Sequence, residues 1–257
     1  MERISHDGRE TAYRLVDAAA SGPTALYVHG SGGTHVAWGH QYGPSGPTHP
    51  AAALDLSGHG NSEDVAVGPD GAIAAYAADV AAVVRAVDAD VLVGSSLGGA
   101  VVQRAVNEYA LDLSALVLFG TGARLPVAEQ LRAWLDSDFE RAVEFLHGPD
   151  RLFHETDPRT VARSREQIQA VGQRSTRRDF LACHGFDSRD WLADIDVPTL
   201  AACGEHDTLT PPSYHEELAE SIPYGEFAVV PDSAHLAMLE RPAAFNDLVG
   251  DFVASVT

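Results

Sequence analysis

The sequence predicts an α/β protein in which a mostly parallel sheet is flanked by helices and interrupted by a helical insertion. Three observations carry that reading. Strand-like and helix-like segments alternate along most of the 257 residues, the pattern of a layered α/β domain. Several strand candidates, TALYVHG (24–30), DVLVGSS (90–96) and SALVLFG (114–120), are short apolar runs without polar alternation. Strands of that kind are buried on both faces, as in parallel sheets covered by helices. Finally, residues 123–190 hold no strand-like run, but carry arginines, acids and apolar residues at helical spacing.

The elements follow in order. TAYRLVD (11–17) alternates and reads as a strand, followed by the buried strand at 24–30. PAAALDLSGHG (50–60) is a strand that closes in a glycine loop. AIAAYAADVAAVVRAV (72–87) is an alanine-rich helix with an apolar stripe. The strand at 90–96 hands over to a helix, LGGAVVQRAVNEYA (97–110), and then to the strand at 114–120. AEQLRAWLDSDFERAVEFL (128–146) and DPRTVARSREQIQAV (157–171) are helical. PTLAACG (198–204) and EFAVVPDS (226–233) are strands on either side of PPSYHEELAESI (211–222), a helix with proline at its start. AAFNDLVGDFVASV (243–256) is a closing helix. The domain reading is therefore a core in two parts, 1–122 and 191–257, with 123–190 as a helical lid.

Composition narrows the function. No apolar run approaches the ~20 residues needed to span a bilayer, and the polar start MERISHDGRETAY lacks a secretory signal. The expectation is a soluble cytoplasmic protein. The 37 acidic residues outnumber 17 basic ones, for a net charge of −20, and every basic residue is arginine. That balance argues against nucleic-acid partners and anionic membrane surfaces. A lysine-free, acid-rich chain resembles cytosolic proteins of salt-accumulating halophiles, although a GC-rich genome would also deplete lysine. Cys183 and Cys203 fit no disulfide or metal spacing and read as buried free thiols. Neither H-E-x-x-H nor a nucleotide-binding glycine loop is present, so no metal or cofactor is expected.

Gly94-Ser95-Ser96-Leu97-Gly98 matches G-x-S-x-G only with Ser96 at its centre. The glycines let a sharp strand-to-helix turn close around a strained serine, which projects its hydroxyl above the sheet. A serine needs a base. His235, in VVPDSAHLAMLERP, lies just past the last strand, on the sheet edge where the Ser96 turn emerges. Asp207, in CGEHDTLTPP, lies past the preceding strand on that same edge and supplies the carboxylate that orients the imidazole. Glu205 and His206 are read as its flanking residues. The order is serine, aspartate, histidine.

Taken together, VHGSGG (28–33), DLSGHGNS (55–62), GSSLGG (94–99), CGEHD (203–207) and SAHLAMLERP (233–242) resemble an α/β-hydrolase-fold enzyme of the carboxylesterase type. The resemblance implies an α/β-hydrolase fold, a catalytic triad of Ser96, Asp207 and His235, and a small-molecule ester as substrate. It also implies an oxyanion hole formed by the backbone N–H of Leu97 and that of Ser31, with Gly32 the rival because the register of HGSGG is open. His29, Asp55 and His59 take structural roles. Lactone or carbon–carbon bond hydrolysis on the same triad is an alternative, as is a non-catalytic small-molecule receptor. Substrate-pocket candidates are Trp38, just past HGSGG, and, from the insertion, Trp134, Phe139 and Phe153 together with Phe145, Leu146 and Phe180. Arg174, Arg177 and Arg178 are candidates to meet a carboxylated substrate. The oligomeric state is left open.

The charge reading has a direct test. At molar salt the Debye length falls to ~3 Å, so carboxylate self-repulsion is screened. The melting temperature is expected to rise from dilute buffer to molar KCl; an unchanged value counts against the halophile reading.

Overall fold

The computed structural model describes residues 1–16, 21–42 and 49–256. Asp17, the last residue of the predicted 11–17 strand, lies outside them. Eight strands form one sheet: β1 (Glu2–His6), β2 (Arg9–Val16), β3 (Ala25–Val28), β4 (Ala51–Leu54), β5 (Val91–Ser95), β6 (Ala115–Phe119), β7 (Thr199–Gly204) and β8 (Gly225–Val230). The helices are α1 (Gly39–Tyr42), α2 (Pro69–Val87), α3 (Leu97–Glu108), α4 (Glu129–Ser137), α5 (Phe139–Leu146), α6 (Pro158–Val171), α7 (Gln173–Gly185), α8 (Pro212–Ser221), α9 (Ala237–Glu240) and α10 (Pro242–Val256). The strand order is β1-β2-β4-β3-β5-β6-β7-β8. β2 runs antiparallel to both β1 and β4, and every pair from β4 to β8 is parallel.

The apolar runs explain the layers. Side chains alternate across a strand, so each run feeds two cores. Leu26, Val28, Leu92, Leu116 and Leu118 pack on one face against Tyr76 and Val80 of α2 and Val101 of α3. Tyr27, Val93, Val117 and Phe119 pack on the other against Phe245 and Val249 of α10. Each such side chain, fully buried, contributes about 1.5–3 kcal/mol.

Three local features depart from the sequence reading. The polar N-terminus forms β1, joined to β2 through Asp7 and Gly8, both at positive φ (45° and 76°), as a two-residue hairpin of type I′ requires. The 128–146 stretch is two helices. Asp138, with φ −151°, ends α4, and its carboxylate accepts the Arg141 N–H to open α5. Helix α2 begins at Pro69, three residues before the predicted start, since proline is suited to a first helical turn. Among the described residues, no helix is long and apolar enough to cross a membrane.

The strand order places the site. The chain leaves β3 for β4 on one side, and β5 then returns to the other flank of β3. Ligands in open α/β sheets bind at such a reversal, beyond the carboxyl ends of the strands. HGSGG follows β3 and the Ser96 turn follows β5.

Two glycines hold that turn together. A Cβ on Gly94 would stand 2.4 Å from the Gly98 carbonyl oxygen, and one on Gly98 would stand 2.3 Å from that of Val28. Gly98→Ala is therefore expected to destabilise the fold by about 1–3 kcal/mol, as overpacking does. Gly250, inside α10, has open space around it, so Gly250→Ala should stabilise by about 0.5–1 kcal/mol. Urea midpoints of the two variants moving in the same direction would contradict the steric argument.

Candidate active site

Ser96 sits between β5 and α3 at φ 56°, ψ −118°, a backbone region costly for a residue with a side chain. Its surroundings over-determine it. The Ser96 N–H donates to Phe119 O (2.9 Å), and the Thr121 hydroxyl donates to Ser96 O (2.9 Å). The Thr121 N–H in turn donates to Nε2 of His215 (2.9 Å). An acceptor Nε2 requires a neutral ring, and burial lowers the His215 pKa to about 4. Ser95 points into the protein, with its hydroxyl buried and unpartnered among the described residues.

Asp207 and His235 meet at 2.8 Å, Oδ2 to Nδ1. Both are almost wholly buried. The carboxylate is fully engaged: Oδ1 accepts from the N–H groups of Leu209 (2.8 Å) and Thr210 (2.9 Å), and Oδ2 also accepts from the Thr210 hydroxyl (2.7 Å). Burial alone would raise the Asp207 pKa, but the imidazole and these donors outweigh it and hold the group below the ordinary carboxylate value. The Thr210 proton goes to the carboxylate, so Nδ1 carries the imidazole hydrogen and Nε2 keeps the free lone pair. Nε2 has no partner among the described residues, and Ser96 Oγ is not hydrogen-bonded to it, although both residues line one cavity. Such contacts are often loose in unliganded enzymes and tighten around substrate.

HGSGG lies beside the Ser96 turn. A Cβ on Gly30 would touch the Ser96 Cβ at 3.0 Å. The N–H groups of this loop differ in their hydrogen bonding. The Gly32 N–H donates to Asp179 Oδ2 at 3.1 Å, whereas the N–H groups of Ser31 and Leu97 have no partner among the described residues.

The cavity above Ser96 has a volume of about 790 Å³. Its walls are mainly apolar, from Leu125, Leu131, Phe145, Leu146, Phe180 and Leu239 among others. Phe145, Leu146 and Phe180 thus lie where the sequence suggested. The other four aromatic candidates do not line it and are corrected here. Trp38 is fully buried beneath the site, packed on Tyr27 (5.0 Å) and Phe245 (5.9 Å). Trp134 packs at a tilt against Phe145 (5.5 Å between centroids) under the Arg141 guanidinium. Phe139 and Phe153 pack into the interior of the helical segment. Their aromatic character signals burial, but not whether a side chain meets a cavity or a neighbouring element.

A model of the alpha/beta hydrolase family matches residues 25–248 of the chain. The chain belongs to the alpha/beta hydrolase family. Similar proteins include a pimeloyl-[acyl-carrier protein] methyl ester esterase from Neisseria meningitidis serogroup C, 30% identical over 81% of this chain and 85% of its own. Among solved structures, a thermophilic esterase aligns with a TM-score of 0.85 at 29% identity, covering 99% of this chain and 97% of its own. Est816, described as an N-acyl homoserine lactone degrading enzyme, aligns with a TM-score of 0.82 at 25% identity, covering 98% and 100%.

Two supporting residues of this hydrolase escaped the sequence reading. Glu240, buried in α9, accepts the N–H groups of Ala234 (2.9 Å), His154 (2.9 Å) and Glu155 (2.5 Å). It thereby fixes the loop that carries His235. Its only sequence signal was its place in HLAMLERP. Asp179 of α7, fully buried, accepts from Gly32, from the Tyr76 hydroxyl (2.9 Å) and from His59 Nε2 (2.9 Å).

The structural histidines differ in charge. His29 donates from Nδ1 to Gly30 O (2.9 Å) and accepts the Leu56 N–H at Nε2 (3.1 Å), so it is neutral; burial lowers its pKa to about 4. His59 has acceptors on both sides, Ser57 O (3.2 Å) and Asp179. Burial would lower its pKa, but Asp179 outweighs that and raises it, which favours imidazolium. Asp55 accepts from the His35 N–H and ring (both 2.8 Å) and the Asn61 N–H (2.9 Å). Burial opposes its ionisation, yet these donors hold its pKa well below the ordinary value. Neither Asp55 nor His59 lines the cavity.

Arg174, Arg177 and Arg178 are spoken for. They pair with Asp64 (3.8 Å), Asp136 (2.9 Å) and Asp64 (2.7 Å). Among the described residues, one group offers metal-ligand atoms close together, Glu205, His206 and Asp232 within 4.8 Å of one another, outside the cavity lining.

The His59–Asp179 pair predicts a pH dependence. A pKa raised on folding gives stability that is complete below the unfolded value of about 6.5 and is lost as pH rises through the folded value. His59→Gln should therefore lie furthest below the parent in urea stability at pH 6, with the gap shrinking in alkaline buffer. A gap that widens with pH would reverse the assignment.

Proposed function

We propose that the protein is a serine hydrolase that cleaves carboxylic esters of small or medium acyl groups through an acyl-enzyme, with Ser96 as nucleophile, His235 as base and Asp207 as its orienting acid. The observation that carries this reading is the buried Asp207–His235 bond, whose free Nε2 shares the cavity with the strained Ser96 turn. The oxyanion-hole assignment to Ser31 and Leu97 is supported by their unpartnered N–H groups and by the engagement of Gly32 with Asp179. The acidic balance of the chain supports a small-molecule ester, rather than nucleic acid or a membrane surface, as its partner.

His235 Nε2 takes the Ser96 proton as Oγ attacks the ester carbonyl. The carbonyl oxygen becomes an oxyanion held by the two N–H groups, each worth about 10²–10³ in rate. The imidazolium, stabilised by Asp207, then protonates the departing alkoxide as the carbon–oxygen bond breaks. Water, deprotonated by the same imidazole, attacks the acyl-enzyme. Collapse releases the acid and returns the proton to Ser96. A lactone is an internal ester, so lactone hydrolysis on the same residues is the second reading, favoured by the likeness to Est816.

Ser96→Ala should lower turnover of a short p-nitrophenyl ester by about 10⁶ and abolish labelling by a fluorophosphonate probe. Ser95→Ala removes a buried hydroxyl that has no partner, so it should only weaken hydrolysis. Equal loss from both variants would remove Ser96 as the nucleophile, and failure of the parent to label would favour a non-catalytic receptor.

A further inference from the structure

The cavity wall has a charge pattern opposite to that of the molecule. The chain carries 37 acidic residues, yet no aspartate or glutamate lines the cavity, whereas Arg151 and Arg163 do. Neither arginine has a carboxylate within ion-pair distance among the described residues, although seven other arginines of the chain do. Arg151 lies over the Phe145 ring, 3.6 Å from its centroid, and donates to the Phe145 carbonyl oxygen at the end of α5. Arg163 has no hydrogen bond or ion pair among the described residues. It belongs to a face of α6 made by Thr160, Arg163, Ser164 and Gln167, all of which line the cavity. Their spacing of three and four residues is that of one helical stripe. The stripe is polar, rich in hydrogen-bond donors and free of acids, and it stands in a cavity whose walls are mainly apolar. In a protein of net charge −20, an unpaired guanidinium at a cavity free of carboxylates is the arrangement that accepts an anion.

We propose that the ester substrate carries a carboxylate remote from the scissile bond, as in a half-ester of a dicarboxylic acid, and that the α6 stripe binds this carboxylate through Arg163. The apolar walls enclose the methylene chain between the two ends. This inference rests on the esterase reading of Ser96 and names the substrate class of that same site.

The test compares methyl half-esters of dicarboxylic acids of increasing length with methyl alkanoates of matched length, on the parent, Arg163→Gln and Arg163→Glu. For the parent, kcat/KM should favour the half-ester at one or more chain lengths, mainly through KM. Raising KCl should erode the preference, because screening weakens the ion pair. Arg163→Gln should cut the ratio of half-ester to alkanoate kcat/KM by about tenfold, the scale of one charge-assisted hydrogen bond. Arg163→Glu should cut it further. Near-parent melting temperatures in both variants, expected for an exposed helix position, separate recognition from unfolding. Alkanoates cleaved as well as half-esters at every length, or a ratio unmoved by both substitutions, would overturn the carboxylate assignment and leave the esterase reading intact. Failure to cleave any ester would overturn both.

Discussion

The architecture of the site depends on one steric constraint, the close approach of α3 to the backbone leaving β3. Gly98 lies so near the Val28 and His29 carbonyl oxygens that a Cβ there would fall 2.3 Å and 2.7 Å from them. That closeness forces the chain to turn within a single residue, and Ser96 takes the positive φ that results. The same approach brings the N-terminus of α3 beside HGSGG. The strained serine and its place beside HGSGG are therefore consequences of one contact. The strain is sustained by the Phe119, Thr121 and His215 hydrogen bonds around it, which rest on the neighbouring strands.

A second constraint ties the helical segment to that centre. Asp179, on α7, reaches into the core and binds the Gly32 N–H, leaving the neighbouring Ser31 N–H unengaged. A buried carboxylate needs compensation. Here it comes from His59, Tyr76 and Gly32, with Arg178 beyond, whose Nε donates to the Tyr76 hydroxyl (3.0 Å). The network joins two of the motifs visible in the sequence, HGSGG and DLSGHG, to α7. Within it Arg178 also pairs with Asp64 (2.7 Å).

How much of this was legible in the sequence follows from what each feature depends on. The Ser96 turn was readable because local sterics permit almost no residue but glycine beside it. The pairing of Asp207 with His235 was readable because parallel strands deliver the loops after β7 and β8 to one edge. The strand β1 was missed because a polar edge strand lacks an apolar run; the Asp7-Gly8 dipeptide was the available signal. Asp179 and Glu240 were missed because their partners lie far away in sequence, 147 residues in the case of Asp179 and Gly32. An acidic residue in a helix carries no mark of burial when the chain is acidic throughout. The misplacement of Trp38, Trp134, Phe139 and Phe153 has a related cause: aromatic residues announce burial, and the surface they are buried against is set by tertiary packing.

The hydrogen bonds of the His235 loop also constrain how the cavity can admit substrate. His235 N–H donates to Arg151 O (3.1 Å) and Leu236 N–H to Leu152 O (3.0 Å), while Glu240 holds the N–H groups of His154 and Glu155. A rigid swing of the whole segment 123–190 would strip these groups of their partners and release the imidazole from its place. Each buried group left unpaired costs about 1–3 kcal/mol, so such a swing is a costly way to open the site. The stripe of α6 residues facing the cavity is less encumbered. Of its side chains, only Ser164 is bonded to another of the described residues, through its hydroxyl and His147 Nε2 (3.0 Å). The hydrogen bonds that hold the imidazole loop therefore run to residues 151–155, and among the described residues none runs from that loop to the α6 stripe.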